Sequence, residues 1–181
     1  MQPHPGPHGA VRVVNPKRPA DVQSGSGLFE DDEAPLPQTV RRTERRLIVE
    51  ADGGSRGNPG PAAYGALVRD AVTGETLMAE GLTIGRATNN VAEYSGLIAG
   101  LQMAREVDPD APVEVRMDSK LVIEQMAGRW KIKHPDMKPL ALEASKLRPA
   151  EVIWTWVPRA LNKRADALVN SALDGEPVPR R

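Results

Sequence analysis

The chain has 181 residues, room for one ordinary domain and some extra, and its charge is balanced at 24 Lys+Arg against 24 Asp+Glu. That balance argues against a bulk polyelectrolyte binder, although a local basic patch stays possible. It has no cysteine, which excludes disulfides, thiolate nucleophiles and Cys-ligated zinc, so any metal site must use carboxylates, other oxygens or the three histidines. No apolar run approaches the roughly 18 residues of a membrane helix. The first residues carry no basic segment followed by an apolar one, so no signal peptide is expected, and the default is a cytoplasmic protein without a membrane partner.

Seven of the 17 prolines fall within residues 1–37, together with a Ser/Gly stretch and an acidic cluster, Glu30 to Glu33. Such a segment buries too little apolar area to offset its chain entropy, so 1–45 is expected to be a disordered tail. The folded unit is expected over 46–175, with 176–181 a short loose tail. Within it, 46–52 reads as a strand ending at a Gly-rich turn, and 63–71 and 75–84 as a hairpin about Thr73-Gly74. Helical spacing of Val91, Tyr94, Leu97, Ile98, Leu101 and Ala104 predicts a helix over 90–106. Strict alternation predicts a strand over 113–118, with Val113, Val115 and Met117 facing away from Glu114, Arg116 and Asp118. Shorter helices are expected over 119–127 and 136–147, a strand over 152–157 and a last helix over 162–173. The order βββαβααβα predicts an α/β fold: a mixed five-stranded sheet, first an antiparallel meander, then parallel strands, flanked by helices.

Four acids sit near element ends: Asp52, Glu93, Asp118 and Asp166. Each has a bland reading. Asp52 could bond the turn that follows it, Glu93 could close a capping box with Asn90, Asp118 or Ser119 could cap a helix, and Asp166 could favour a helix N-terminus. Strand phase changes the balance. Asp52 and Asp118 each end a strand on its polar side, and parallel neighbours would bring them together at the carboxyl edge, where open α/β sheets place ligands. Clustered carboxylates repel by several kcal/mol unless protonated or bridged by a cation. With no Cys and one His in the folded part, the fitting ions are hard, Mg²⁺ or Mn²⁺.

The blocks ADGGSRGNPGPAAYGA, ATNNVAEYSGLIAGL, VRMDSKLVIEQMAGRWKIKHP and WTWVPRALNKRADALV together resemble bacterial ribonuclease HI, in the form found in actinobacteria and archaea. The resemblance spans about 46–174 and implies the ribonuclease H fold. It implies endonucleolytic cleavage of the RNA strand of an RNA–DNA hybrid, leaving 5′-phosphate and 3′-hydroxyl ends, by a monomer with two Mg²⁺ (or Mn²⁺) ions per active site. Asp52, Glu93, Asp118 and Asp166 are then the catalytic metal ligands, with Glu93 also orienting the RNA 2′-hydroxyl.

The same resemblance assigns substrate contacts to Gly54, Ser55, Arg56, Gly57, Asn58, Asn89, Asn90 and Asn162, amides suiting a hydroxyl that both donates and accepts. Arg159 stands where many relatives carry a histidine. It cannot act as a base, so it is expected to steady the scissile phosphate or the product. Lys120 stands in place of a glutamine and suits a phosphate. The basic handle helix is reduced to a patch that includes Trp130 and Lys131. With the chain ending at Arg181, no second activity is expected. Two other readings compete: a non-catalytic nucleic-acid binding module on the same fold, which would gain by losing the repelling acids, and a nuclease with additional activity on duplex RNA.

Overall fold

The computed structural model describes residues 45–181. The expected N-terminal tail lies, Arg45 apart, outside the described residues.

The elements run β1 (Leu47–Ser55), β2 (Gly60–Asp70), β3 (Thr76–Ala87), α1 (Asn89–Val107), β4 (Val113–Met117), α2 (Lys120–Met126), α3 (Met137–Leu147), β5 (Val152–Trp156), a 3₁₀ turn (Arg159–Leu161) and α4 (Lys163–Leu173). They form one five-stranded sheet in the order β3-β2-β1-β4-β5. β1, β2 and β3 pair antiparallel, whereas β4 pairs parallel with both β1 and β5. Parallel pairing needs a crossover, which α1 supplies between β3 and β4, and α2 and α3 supply between β4 and β5.

Alternation divides the sheet into two faces. Val49, Ala51, Ala66, Val68, Val113, Val115 and Met117 point into the main core, where they meet Tyr94, Leu97 and Leu101 of α1. On the other face α4 crosses β1, β2 and β3. It comes so close that a Cβ on Gly65 would lie 2.4 Å from the Ala165 carbonyl oxygen. Glycine at 65 is therefore what lets this helix reach the sheet.

Several boundaries differ from expectation: β2 begins three residues earlier, at Gly60, and β3 runs three residues further, to Ala87. β1 continues through Gly53, Gly54 and Ser55, paired with Tyr64, Ala63 and Ala62. Backbone pairing alone extends it, so side-chain alternation gave no signal. The C-terminal residues are also not loose. Gly81 and Val178 exchange two backbone hydrogen bonds of 2.8 Å, and Arg180 reaches Glu80 (2.7 Å) and Glu106 (2.5 Å). The cation satisfies a buried carboxylate and so holds the last turn of chain against the β3 edge. No described helix is long and apolar enough to cross a membrane.

Candidate active site

The β1–β4 register fixes the first pair of acids. Leu47 lies opposite Val113 and Glu50 opposite Arg116. Extending the same offset by two residues sets Asp118, just past β4, beside Asp52. Asp52 does not end its strand, as expected, but lies within β1. Ser119, not Asp118, caps α2 by accepting from the Val122 N–H, which leaves the Asp118 carboxylate for the sheet edge.

Glu93 arrives from α1 because Gly53 has no side chain. A Cβ there would lie 2.1 Å from both the Ala92 carbonyl carbon and the Glu93 nitrogen. The expected capping box fails: Thr88 is the N-cap, its hydroxyl accepting from the Val91 N–H (3.3 Å). Glu93 is thus free of a capping role and is buried with Asp52 (6% and 7% exposed).

Oxygens of Asp52, Glu93 and Asp118 lie within 4.8 Å of one another. Asp52 keeps one local bond, from the Gly53 N–H (2.9 Å), whereas Oε2 of Glu93 is buried without a partner. Burial first, then the neighbouring Asp118, pushes the Asp52 carboxyl up to about 7. Burial and then Asp52 and Asp118 hold the Glu93 carboxyl well above the usual range. In each case the charged form lacks water and faces like charge.

Asp166 lines the same cleft of about 300 Å³ without joining the triad. One of its oxygens accepts from Arg159 (2.8 Å) and the other from Asn170 (3.0 Å). Asn170 went unnoticed in the sequence, although it lies one helical turn after Asp166, the spacing at which side chains meet.

The other expected residues fall in several different places. Gly54, Ser55, Arg56, Asn89 and Arg159 line the acid cleft. Ser55 spends its hydroxyl on the Ala87 carbonyl (2.9 Å), and Arg56 pairs with Asp174 across the mouth of the loop. Gly57, with a φ of +99°, and Asn58 form the turn beside them, and the Asn58 side-chain oxygen accepts from the Asn89 N–H (3.1 Å). Asn90 and Lys120 do not line the cleft, and Trp130 and Lys131 line a separate groove of about 530 Å³ with Arg129, Lys133 and His134. Asn162 is a correction. It is fully buried (0% exposed) and holds Asp118 rather than facing a substrate.

Similarity to known proteins agrees with this geometry. A family model described as Reverse transcriptase-like matches residues 50–172. The chain is 53% identical over 131 residues to the bifunctional protein Rv2228c of Mycobacterium tuberculosis, covering 71% of this chain and 36% of that protein. It thus spans about a third of that relative. Ribonuclease HI of Halobacterium salinarum is 49% identical over 133 residues, covering 71% of this chain and 65% of the relative. The crystal structure of LC11-RNase H1 in complex with an RNA/DNA hybrid superposes with a TM-score of 0.68 at 40% identity, covering 72% of this chain and 98% of that one. With matching topology and an acid cluster at the expected sheet edge, the chain belongs to the ribonuclease HI family.

Proposed function

We propose that this chain hydrolyses the RNA strand of RNA–DNA hybrids as an endonuclease, leaving 5′-phosphate and 3′-hydroxyl ends. One observation carries the reading. Three acids from three separate elements meet within 4.8 Å, and the buried Oε2 of Glu93 has no donor. That donor set is all oxygen and anionic, which fits hard divalent cations, Mg²⁺ or Mn²⁺. Asp52, Glu93 and Asp118 would hold them, with Asp166 completing the set for two ions. Bound there, they would supply Lewis-acid stabilisation of charge on the phosphate and lower the pKa of a water.

The chain's own groups account for the rest. Asn58 and Asn89 flank the acid cleft with amides suited to a 2′-hydroxyl, the group that distinguishes RNA from DNA. Asn90 follows in the first turn of α1. Arg159, 77% exposed at its side chain, would steady a phosphate and cannot take up a proton. Lys120, Trp130 and Lys131 are exposed and suit the sugar–phosphate backbone of a hybrid.

The direct test incubates labelled RNA–DNA hybrid, duplex RNA and duplex DNA with the full chain in Mg²⁺, Mn²⁺ or chelator. Cleavage of the hybrid's RNA strand in either metal, none in chelator, and loss of about 10³-fold or more in Asp118→Asn with hybrid binding retained, is the expected result. Hybrid cleavage that continues in chelator, or binding without cleavage in every metal, would overturn it, the latter in favour of a binding module.

A further inference from the structure

Asn162 occupies the N-cap of α4, where an asparagine side chain ordinarily accepts a hydrogen bond from the helix's own first turn. Here it makes no such bond. Its side chain turns inward, fully buried, and its Nδ2 donates to the Ala51 carbonyl (2.9 Å) and to Oδ1 of Asp118 (3.1 Å). Both partners are acceptors, so the amide orientation is dictated: a flipped group would set oxygen against oxygen. The carbonyl of the same residue accepts from the Asp166 N–H (3.1 Å). One residue therefore touches Asp118 directly, the peptide immediately before Asp52, and the backbone of Asp166. The amide's own Oδ1 is buried without a donor, so the two donated bonds account for all its side-chain hydrogen bonding.

We infer that Asn162 is a positioning residue for the acid cluster, its Nδ2 locking the Asp118 carboxylate against β1 so that the carboxylates of two strands and a helix present one seat for divalent cations. The inference rests on the metal-dependent nuclease reading for its kinetic consequence. Its structural content concerns only how Asp118 is held. Asp118 is secured twice over, since the Trp156 indole N–H also donates to its backbone carbonyl (3.1 Å). The backbone bond fixes where the residue sits, and the Asn162 bond fixes where its carboxylate points. Partners that orient a metal ligand typically change metal affinity or activity by about 10–100-fold when lost.

The experiment compares Asn162→Ala, the shape-preserving Asn162→Asp, and Val115→Ala, a cavity variant at a fully buried core position on the opposite side of its strand from Asp118. Each is measured at pH 8 for melting temperature, for Mn²⁺ affinity by calorimetry without substrate, and for kcat and KM on hybrid. Both Asn162 variants are expected to bind Mn²⁺ about tenfold or more weakly and to lose kcat by about 10–100-fold with KM within about twofold. Val115→Ala should lower the melting temperature while keeping Mn²⁺ affinity and kcat. If Asn162→Asp behaves as wild type, the residue serves packing and the inference fails. It also fails if all three variants lose metal affinity in proportion to their melting temperature. Absence of hybrid cleavage by the wild-type chain would instead sink the nuclease reading, and the calorimetric arm would still decide the role of Asn162.

Discussion

Two sets of buried acids in this molecule are treated in opposite ways. Glu50 and Glu80 are each 5% exposed, and each faces an arginine: Arg69 from β2 for Glu50, and Arg180 from the C-terminal residues for Glu80, with Tyr64 donating to Glu80 as well. Asp52 and Glu93 are as deeply buried, yet their nearest charged neighbours are other carboxylates, and Arg159 acts on them only from a distance. The fold thus neutralises buried acids where they serve structure and leaves the carboxyl edge of β1 and β4 un-neutralised. Burying like charges costs stability unless something else supplies the opposite charge. The contrast is why the acid triad is proposed as a seat for a cation.

Identical chemistry at the two kinds of site should have opposite signs. Glu50→Gln strands the Arg69 guanidinium, 15% exposed at its side chain, and should cost about 3 kcal/mol of stability by chemical denaturation. Glu93→Gln removes a charge that burial disfavours. In chelator at pH 8 it should stabilise the fold, while abolishing the gain in melting temperature that Mg²⁺ gives the wild type. Equal signs for the two substitutions would erase the distinction.

A smaller effect sharpens it further. Below its ordinary value of 3.8, Asp52 is protonated in folded and unfolded chains alike, and the folded state carries no penalty from it. Between 3.8 and about 7 the unfolded chain has ionised this carboxyl while the folded chain still holds it protonated, and above about 7 both are ionised and the loss levels off. Metal-free stability should therefore fall across that window, and Asp52→Asn should flatten the fall. Smallest of all is the exposed pair Arg56–Asp174, with side chains 53% and 60% exposed. Arg56→Ala should change stability by about 0.5 kcal/mol or less, and any effect on hybrid binding should then be read as a substrate contact.

Most of the fold was legible because its elements carry strong periodicity. The alternation of Val113, Val115 and Met117 against Glu114 and Arg116 placed β4 and its buried face, and the stripe from Val91 to Ala104 placed α1. The strand phase of Asp52 and Asp118 anticipated their meeting, since parallel adjacency follows from a helical crossover. What the chain hid lies where backbone or local chemistry decides. Gly53 to Ser55 extend β1 by main-chain pairing that leaves no side-chain pattern. Thr88 outcompetes Asn90 as the cap of α1, a choice between two good capping residues that spacing cannot make. Asn162 sits at a cap position but turns inward, where the half-buried Asp118 carboxylate and the Ala51 carbonyl both accept from its Nδ2. Asp166 is expected as the fourth of the metal-binding acids, and the donors that hold it at the edge of the triad, Arg159 and Asn170, come from loop geometry and from a helix neighbour whose role only its surroundings reveal.

The central claim is that the un-neutralised acids form a seat that a divalent cation completes. It is tested most directly by titrating Mn²⁺ into the metal-free full chain at pH 7 in two buffers of different ionisation enthalpy. The account predicts saturable binding accompanied by proton release, because carboxyls that burial holds protonated must ionise to bind, and loss of that binding in Asp118→Asn. Heats that are indistinguishable between the two buffers, or binding that survives unchanged in Asp118→Asn, would contradict it.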